Sequence, residues 1–274
     1  MEKLLQEPEW NEIEKAIPPQ IKEIRSILED KYGIVIPCHC DEFIARCLRL
    51  KDGKKDKAIK LIKHFQTTMV GFREWDATMQ PSLYETFVRN VVIPLSQKDS
   101  HGRRIFVFRT EMWDPQLTNF DELLAALWMC AQFITAEYKD AQHSGFVTIW
   151  DFSNFSLQQA WAVNQWRLIS LMKWVQNGVA GRIKGFHLIF QPRIISVIYA
   201  GVKPFFKEKL RKRIHFHNSL ETLHQHVNPQ CLPEFLGGVL NHEEDKCIDK
   251  LSIKKLFQQD DFFKEMINSG FPSK

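Results

Sequence analysis

Residues 182–218, RIKGFHLIFQPRIISVIYAGVKPFFKEKLRKRIHFHN, decide the fold class of this 274-residue chain. A short apolar run at 182–190 and another at 213–218 predict strands, and a longer helical pattern at 192–213 joins them. Two strands connected in this way are parallel neighbours with a right-handed crossover. Pro204 lacks a backbone donor, so a bend or hinge is predicted inside the connecting helix.

Upstream of this stretch, strands and helices continue to alternate. The runs RRIFVFRT (103–110) and GFVTIWDF (145–152) predict two more strands. The predicted helices between the strands span 118–142 and 156–179, and Thr118 with Asp121 and Ser156 with Gln159 resemble capping boxes. The predicted fold class is therefore α/β, with a mainly parallel sheet and crossover helices.

The pattern also predicts a division of the chain. Residues 1–92 have helical periodicity with a glycine stop at Gly33 and an N-cap candidate at Asp41, which predicts a helical bundle. Residues 93–240 form the predicted α/β domain, and residues 241–274 a C-terminal helical tail.

Composition limits the function classes. The net charge of +4 is too small to indicate a nucleic-acid partner, and the six cysteines form no CxxC pair. The N-terminus does not resemble a signal peptide, and the longest apolar run falls far short of the roughly 20 residues of a spanning helix. These features predict a cytoplasmic monomer that is peripheral and transient at membranes.

Two predicted helices are unusually apolar. Residues 123–136 carry no charge, and residues 156–179 carry only Arg167 and Lys173. A helix that is apolar all round is either buried on all sides or borders something apolar other than protein. A thick core and a lipid-sized cavity between sheet and helices are both open at this point. The predicted cavity walls are Phe146, Trp150, Phe155, Trp161, Trp174 and Phe186.

The helix at 192–213 has two unlike halves. Its first half has an apolar face that includes Ile194, Ile198 and Val202, whereas its second half is rich in lysine and arginine. Cations suit the C-terminal end of a helix, so a solvated basic end is one interpretation. The other is a lid over the cavity whose basic end meets an anionic membrane surface.

These residues resemble the CRAL-TRIO lipid-binding family. The stretch from Arg182 to LPEFLGG (232–238) is similar to the domain itself, and DEFIARCLRLKDGKKDKAIKLI (41–62) resembles its N-terminal helical module. FVFRTEMWDP and GFVTIWDFSNFS resemble the first two strands. Within the family, the resemblance is to the group of the α-tocopherol transfer protein and cellular retinaldehyde-binding protein. It implies a closed cavity for one hydrophobic molecule, gated by a lid helix that opens at membranes.

The resemblance also implies two sets of site residues. The expected ligand-binding residues are Leu127, Cys130, Phe146, Trp150, Phe155, Trp161, Leu171, Trp174, Val175, Phe186, Ile195, Ile198, Tyr199 and Val202. The expected phosphoinositide-binding residues are Lys51, Arg182, Lys184, Lys209 and Arg213. Lys51 stands where the tocopherol carrier has an arginine, and the three tryptophans stand where it has mostly smaller residues. The resemblance therefore does not identify the ligand of this chain. Tocopherol, retinoid, carotenoid, sterol-like and phospholipid molecules all suit an aromatic pocket.

Enzyme and metal signatures are weak. No GxSxG, HExxH, Walker or GxGxxG motif occurs. Cys38-His39-Cys40 lacks a partner motif for zinc, His215 and His217 are expected to be ordinary strand histidines, and Asp151 is expected to cap a helix entry. We therefore predict a carrier that is not an enzyme, with no catalytic residues, metal or cofactor beyond a bound lipid. The alternatives are a lipid-responsive regulatory module acting through a protein partner, or a phospholipid exchange protein.

Overall fold

The computed structural model describes residues 7–37, 40–74, 79–84, 88, 91–178, 181–241 and 254–268. The N-terminal part is helical, as the periodicity predicts. Its helices are α1 (Glu7–Tyr32), α2 (Asp41–Leu50) and α3 (Lys55–Glu74). Asp41 begins α2 instead of capping it; Cys40 occupies the N-cap position and makes no side-chain capping bond. A 3₁₀ turn at Pro81–Tyr84 follows.

The α/β part is built on a five-stranded sheet whose strands lie in chain order. The strands are β1 (Val92–Lys98), β2 (Arg104–Arg109), β3 (Phe146–Asp151), β4 (Ile183–Ile189) and β5 (Ile214–His217). β2 to β5 are parallel, which confirms the predicted mainly parallel sheet, whereas β1 pairs antiparallel with β2. Sequence reasoning missed β1 because Pro94 and a polar end disguise it, and proline is tolerated on such an edge strand.

The helices of the α/β part are shorter than predicted. They are α4 (Phe120–Glu137), α5 (Lys139–His143), α6 (Leu157–Ala162), α7 (Gln165–Gly178), α8 (Arg193–Val202), α9 (Glu208–Arg211) and α10 (Leu220–His224). The predicted helix at 156–179 is thus two helices, because the chain becomes extended at Val163. Its capping box, Ser156 with Gln159, is confirmed. The box at the start of α4 is formed by Asn119 and Glu122 instead of Thr118 and Asp121.

The segment at 192–213 is also divided. Helix α8 ends at Val202, a 3₁₀ turn covers Lys203–Phe205, and Phe206 is extended before the single turn of α9. The chain therefore breaks where Pro204 predicts a bend. The predicted helix at 192–213 would place Lys209 and Arg213 one turn apart on a shared face. Arg213 lies beyond α9, so this part of the prediction is wrong.

One cluster of buried apolar side chains runs through the N-terminal helices, α4 and the C-terminal helix α11 (Asp260–Asn268). Trp174 of α7 is docked on α3, with its ring centre 5.0 Å from that of Phe72. A Cβ at Gly71 would stand 2.2 Å from the Trp174 ring, so this helix contact requires glycine. This cluster contains residues from both sides of the predicted boundary at residue 92. The domain division therefore stays a prediction.

Candidate ligand cavity

The two faces of the sheet are unlike because side chains alternate along each strand. On one face Ile105, Val107, Val147, Ile149 and Ile189 pack with Leu223 of α10 and with the chain that follows it. The opposite face carries large aromatics. They include Phe106 and Phe108 of β2, Phe146 and Trp150 of β3, and Phe186 of β4.

A cavity of about 260 Å³ lies between this aromatic face and the covering helices. Its other walls come from α4, α7 and α8 and from the segments that follow β2, β3 and α8. Most of the expected ligand-binding residues line it: Leu127, Phe146, Trp150, Phe155, Leu171, Val175, Phe186, Ile195, Ile198, Tyr199 and Val202. None of the lining residues is classed as exposed. The unusually apolar helices predicted at 123–136 and 156–179 therefore border open space as well as core.

Three of the expected wall residues do not line this cavity. Trp161 is 87% exposed, because α6 is a separate helix that directs this ring to solvent. Trp174 faces α3, where its ring packs at an angle of 58° to the ring of Phe72. Cys130 is buried on another face of α4 and borders a second space of about 20 Å³ beside β1.

Sequence reasoning also missed part of the lining. Phe106, Phe108 and Thr148 share the face of Phe146 and Trp150, so the two-residue period of β2 and β3 could have identified them. Phe120 and Ile134 of α4 and Phe152 after β3 carry no such signal. Their positions depend on how the helices lie across the sheet.

Most of the polar groups in the lining are already engaged, but the Trp128 indole Nε1 is buried without a hydrogen-bond partner. Thr110 Oγ1 donates to the Asp151 carbonyl at 2.8 Å, and Trp150 Nε1 donates to Thr148 Oγ1 at 3.0 Å. The Tyr199 phenol is partly buried, and this burial raises its pKa, so the hydroxyl stays neutral at physiological pH. The cavity thus offers an uncharged and mostly apolar surface.

The expected phosphoinositide-binding residues lie where α2, the start of β4 and α9 approach one another. Burial lowers the pKa of the Lys51 amine, and the positive charges of Arg182 and Lys209 lower it further. Arg182 Nη2 donates to Asp52 Oδ1 at 2.5 Å and to the Arg49 carbonyl at 3.1 Å. The structure therefore brings Lys51, Arg182 and Lys209 within electrostatic reach of one another.

The other two basic residues occupy neighbouring positions. Arg213 Nη1 donates to the Ile183 carbonyl at 2.6 Å, so its guanidinium is held against the start of β4. The charges of Lys184 and Arg182 both help to lower the pKa of His143, although burial of that imidazole is the larger cause. Mutual repulsion among such cations is relieved when an anion binds.

Large apolar side chains are exposed around α6, α7 and α8. Trp166 is 74% exposed, and Leu157, Val197 and Phe205 are also exposed. Helix α8 lies close to the start of α7, because a Cβ at Gly201 would stand 3.2 Å from Gln165 Oε1. Together with Trp161 these apolar side chains are exposed on or next to α6, α7 and α8, and the last two of these helices border the cavity.

The packed face of the sheet contains a cluster of histidines. His187 Nδ1 and His217 Nε2 are 2.9 Å apart, and His215 and His226 stack or tilt against them. Burial is the main cause that lowers the pKa of His187 to about 3 and of His217 to about 4. No group of side chains in the described residues is arranged to hold a metal ion. Asp151 Oδ1 accepts from the Ser153 amide in the turn after β3. The N-cap of α6 is Ser156, so the prediction that Asp151 caps the helix entry is wrong.

Two further predictions concern positions that the structure describes in part. Cys38 and His39 lie outside the described residues, and Cys40 is buried. The described part of the chain contains no helix long and apolar enough to cross a bilayer.

Comparison with known proteins identifies similar sequences. Residues 89–238 match the model of the CRAL/TRIO domain. Clavesin-1 of Xenopus laevis is 30% identical over 237 residues, which cover 85% of this chain and 71% of that protein. Clavesin-2 of Homo sapiens is also 30% identical over 237 residues, covering 85% and 72%. The crystal structure of Sfh5 superposes with a TM-score of 0.48 and 14% identity, covering 96% of this chain and 97% of that one.

Proposed function

Because this chain belongs to the CRAL/TRIO family of lipid-binding and lipid-transfer proteins, we propose that it is a carrier of one hydrophobic small molecule. The protein holds the molecule in its cavity and transfers it to or from membranes at their cytoplasmic surface. The observation that carries the proposal is the apolar cavity of about 260 Å³. Removal of an alkyl chain from water contributes about 0.8 kcal/mol for each buried CH₂ group, which favours retention.

The lid of the proposed carrier is α8 with the 3₁₀ turn that follows it. Ile195, Ile198 and Val202 of α8 border the cavity, and Lys203–Phe205 interrupts the helix directly after them. A break in helical hydrogen bonding supplies a natural hinge, because few backbone bonds resist its movement. Displacement of α8 would open the cavity between the sheet and α7.

A lipid bilayer is the proposed partner of the exposed apolar surface formed by Leu157, Trp161, Trp166, Val197 and Phe205. Tryptophan is favoured at the interface between water and hydrocarbon, since its ring has an apolar body and a polar nitrogen. This surface includes part of the lid, so membrane contact and lid displacement would occur at the same place.

Anionic head groups are the proposed trigger for opening. Lys51, Arg182, Lys184, Lys209 and Arg213 lie at the base of the lid segment, and each cation near an anionic leaflet contributes about 1 kcal/mol. Phosphoinositides must bind the open lid better than the closed lid, since a ligand that binds both states equally shifts nothing. Lys209 carries this argument best because it lies in α9, the helical turn that directly follows the lid.

The proposal is tested by transfer of a fluorescent hydrophobic probe between vesicles. We expect phosphoinositide in the acceptor vesicles to accelerate transfer more than phosphatidylserine at matched surface charge. Lys209→Ala should remove this difference. Lys212→Ala is the matched control, because Lys212 is an exposed lysine three residues away, in an i,i+4 ion pair with Glu208. If both lipids accelerated transfer equally, or if both variants lost the preference for phosphoinositide equally, the specific trigger would be wrong. General attraction to anionic membranes would then explain the acceleration.

The same experiment separates a carrier from a regulatory module. A regulatory module would bind the probe but exchange it negligibly between vesicles, and its exposed tryptophans would contact a protein. A carrier exchanges the probe catalytically, many times for each protein molecule. Negligible exchange despite tight binding would therefore contradict the proposal.

A further inference from the structure

The lining of the cavity has no charged side chain. Among the described residues that border it there is no aspartate, glutamate, lysine, arginine or histidine. Tyr199 carries the one ionisable group, a phenol that is uncharged near neutral pH. The part of the lining that the structure describes therefore offers no side chain to neutralise the charge of a bound ion.

Hydrogen-bond donors are also scarce. Among the described lining residues, the buried Trp128 indole Nε1 has no partner and could donate to a single ligand oxygen. The Thr110 hydroxyl and the Trp113 indole each donate to a backbone carbonyl at 2.8 Å, and the Trp150 indole donates to Thr148 Oγ1. A bound carboxylate or phosphate needs several donors directed at its oxygens. The lining hydroxyls retain acceptor capacity, which suits a ligand hydroxyl group better than an anion.

The five basic residues assigned to head-group recognition lie outside the cavity. Lys51, Arg182, Lys184, Lys209 and Arg213 are all absent from its lining. Positive charge and apolar volume are thus separated in this protein. A lipid with an anionic head group can bind at the basic residues, but it has no matching place inside.

From this separation we infer that the transported ligand is a neutral molecule with at most one small uncharged polar group, and that the cavity excludes fatty-acid anions and phospholipids. Transfer of an unpaired ion into an apolar interior is far more unfavourable than the gain from a few buried methylenes. The inference rests on the proposed function, and it narrows the ligand class that the aromatic lining alone leaves open. It also argues against phospholipid exchange.

The test is competition against diphenylhexatriene, a neutral hydrocarbon that fluoresces in apolar surroundings. Dodecanol and dodecanoate have the same chain length and differ at the polar end. A carboxyl group with a pKa of about 4.3 is about one part in a thousand protonated three pH units higher. We expect dodecanol to displace the probe near pH 7.5 at roughly a thousandfold lower concentration than dodecanoate, because only the protonated fraction of the acid can enter. Lowering the pH by one unit should strengthen displacement by the acid about tenfold and leave the alcohol unchanged.

Equal potency of alcohol and acid near pH 7.5, or potency of the acid that does not change with pH, would overturn the inference. The proposed function would survive that result, since the probe would still have been displaced from the cavity.

A separate variant tests the cavity itself. Ala131 lines the cavity, so Ala131→Trp should fill it and abolish probe binding. Retained probe binding in a folded Ala131→Trp protein would contradict the proposed function and not merely the ligand class.

Discussion

The two faces of the central sheet are packed in different ways, although the same strands form both of them. One face is packed with small β-branched residues such as Val147 and Ile149, which interlock with α10 and the turns that follow it. The other carries Phe106, Phe146 and Trp150, and these large rings leave about 260 Å³ open under the covering helices. Larger side chains therefore do not mean tighter packing. Rigid rings hold helices apart, whereas aliphatic side chains fit together without voids.

The sharpest way to test this contrast is to shorten one side chain on each face. Ile149→Ala should lower the free energy of unfolding by about 2–5 kcal/mol, because it opens a new cavity in a packed core. Leu188→Ala on the cavity face should lower it by about 1–2 kcal/mol, since Leu188 already borders empty space. Urea denaturation of both variants measures the difference. Equal losses would mean that the cavity face is packed as tightly as the other.

Helix α7 sharpens the comparison because it borders the cavity on one side and α3 on the other. Trp174→Ala should destabilise the protein by about 2–4 kcal/mol through the lost contact with Phe72 and Gly71. Ligand preference should stay unchanged, since Trp174 does not line the cavity. Denaturation and probe competition on the same variant check both statements. A shift of preference toward bulkier ligands would show that this ring reaches the cavity after all.

Acid should lower the free energy of unfolding through the histidines on the packed face of the sheet. The pKa values of His187 and His217 are lowered from 6.5 to about 3 and about 4, so the folded protein holds these residues neutral while the unfolded chain takes up protons. Stability is therefore complete above pH 6.5 and declines as the pH falls from 6.5 toward 4. The expected loss is roughly 2–3 kcal/mol by pH 4.5 for each of the two histidines.

The measurement is urea denaturation across that pH range. His187→Gln should flatten the decline, whatever its effect at neutral pH, because glutamine does not titrate. His101→Gln is the control, since His101 is exposed and lies outside the cluster. An identical acid dependence in all three proteins would place the cause elsewhere.

The smallest change in stability is expected outside both faces. Trp161→Ser should alter the free energy of unfolding by no more than about 0.5 kcal/mol, because the ring is in solvent. If this surface meets the bilayer, the same variant should slow transfer to vesicles several-fold. Leu83→Ser is the matched control: Leu83 is also exposed but lies in the N-terminal part, next to Ser82, which hydrogen-bonds α11. Equal transfer by both variants would remove the exposed surface from the proposal.

Local signals were sufficient for much of this molecule. The alternation of apolar runs and helical patterns predicted β2 to β5 and their parallel order, because period and chain connectivity are properties of short segments. The charge-free stretch at 123–136 indicated an unusual environment, and Pro204 marked the break in the lid segment. The resemblance to the family supplied the role expected of each.

What tertiary structure decided was the direction and distance of particular side chains. Trp150, Trp161 and Trp174 look alike in the sequence, since each is a tryptophan in an apolar segment. In the structure Trp150 lines the cavity, Trp161 is in solvent and Trp174 is docked on α3. The difference depends on where α6 ends and on the close approach that Gly71 permits. The histidine cluster likewise forms because pairing of β4 with β5 places His187 opposite His215. Convergence of distant segments is set by packing, and periodicity within any one segment does not encode it.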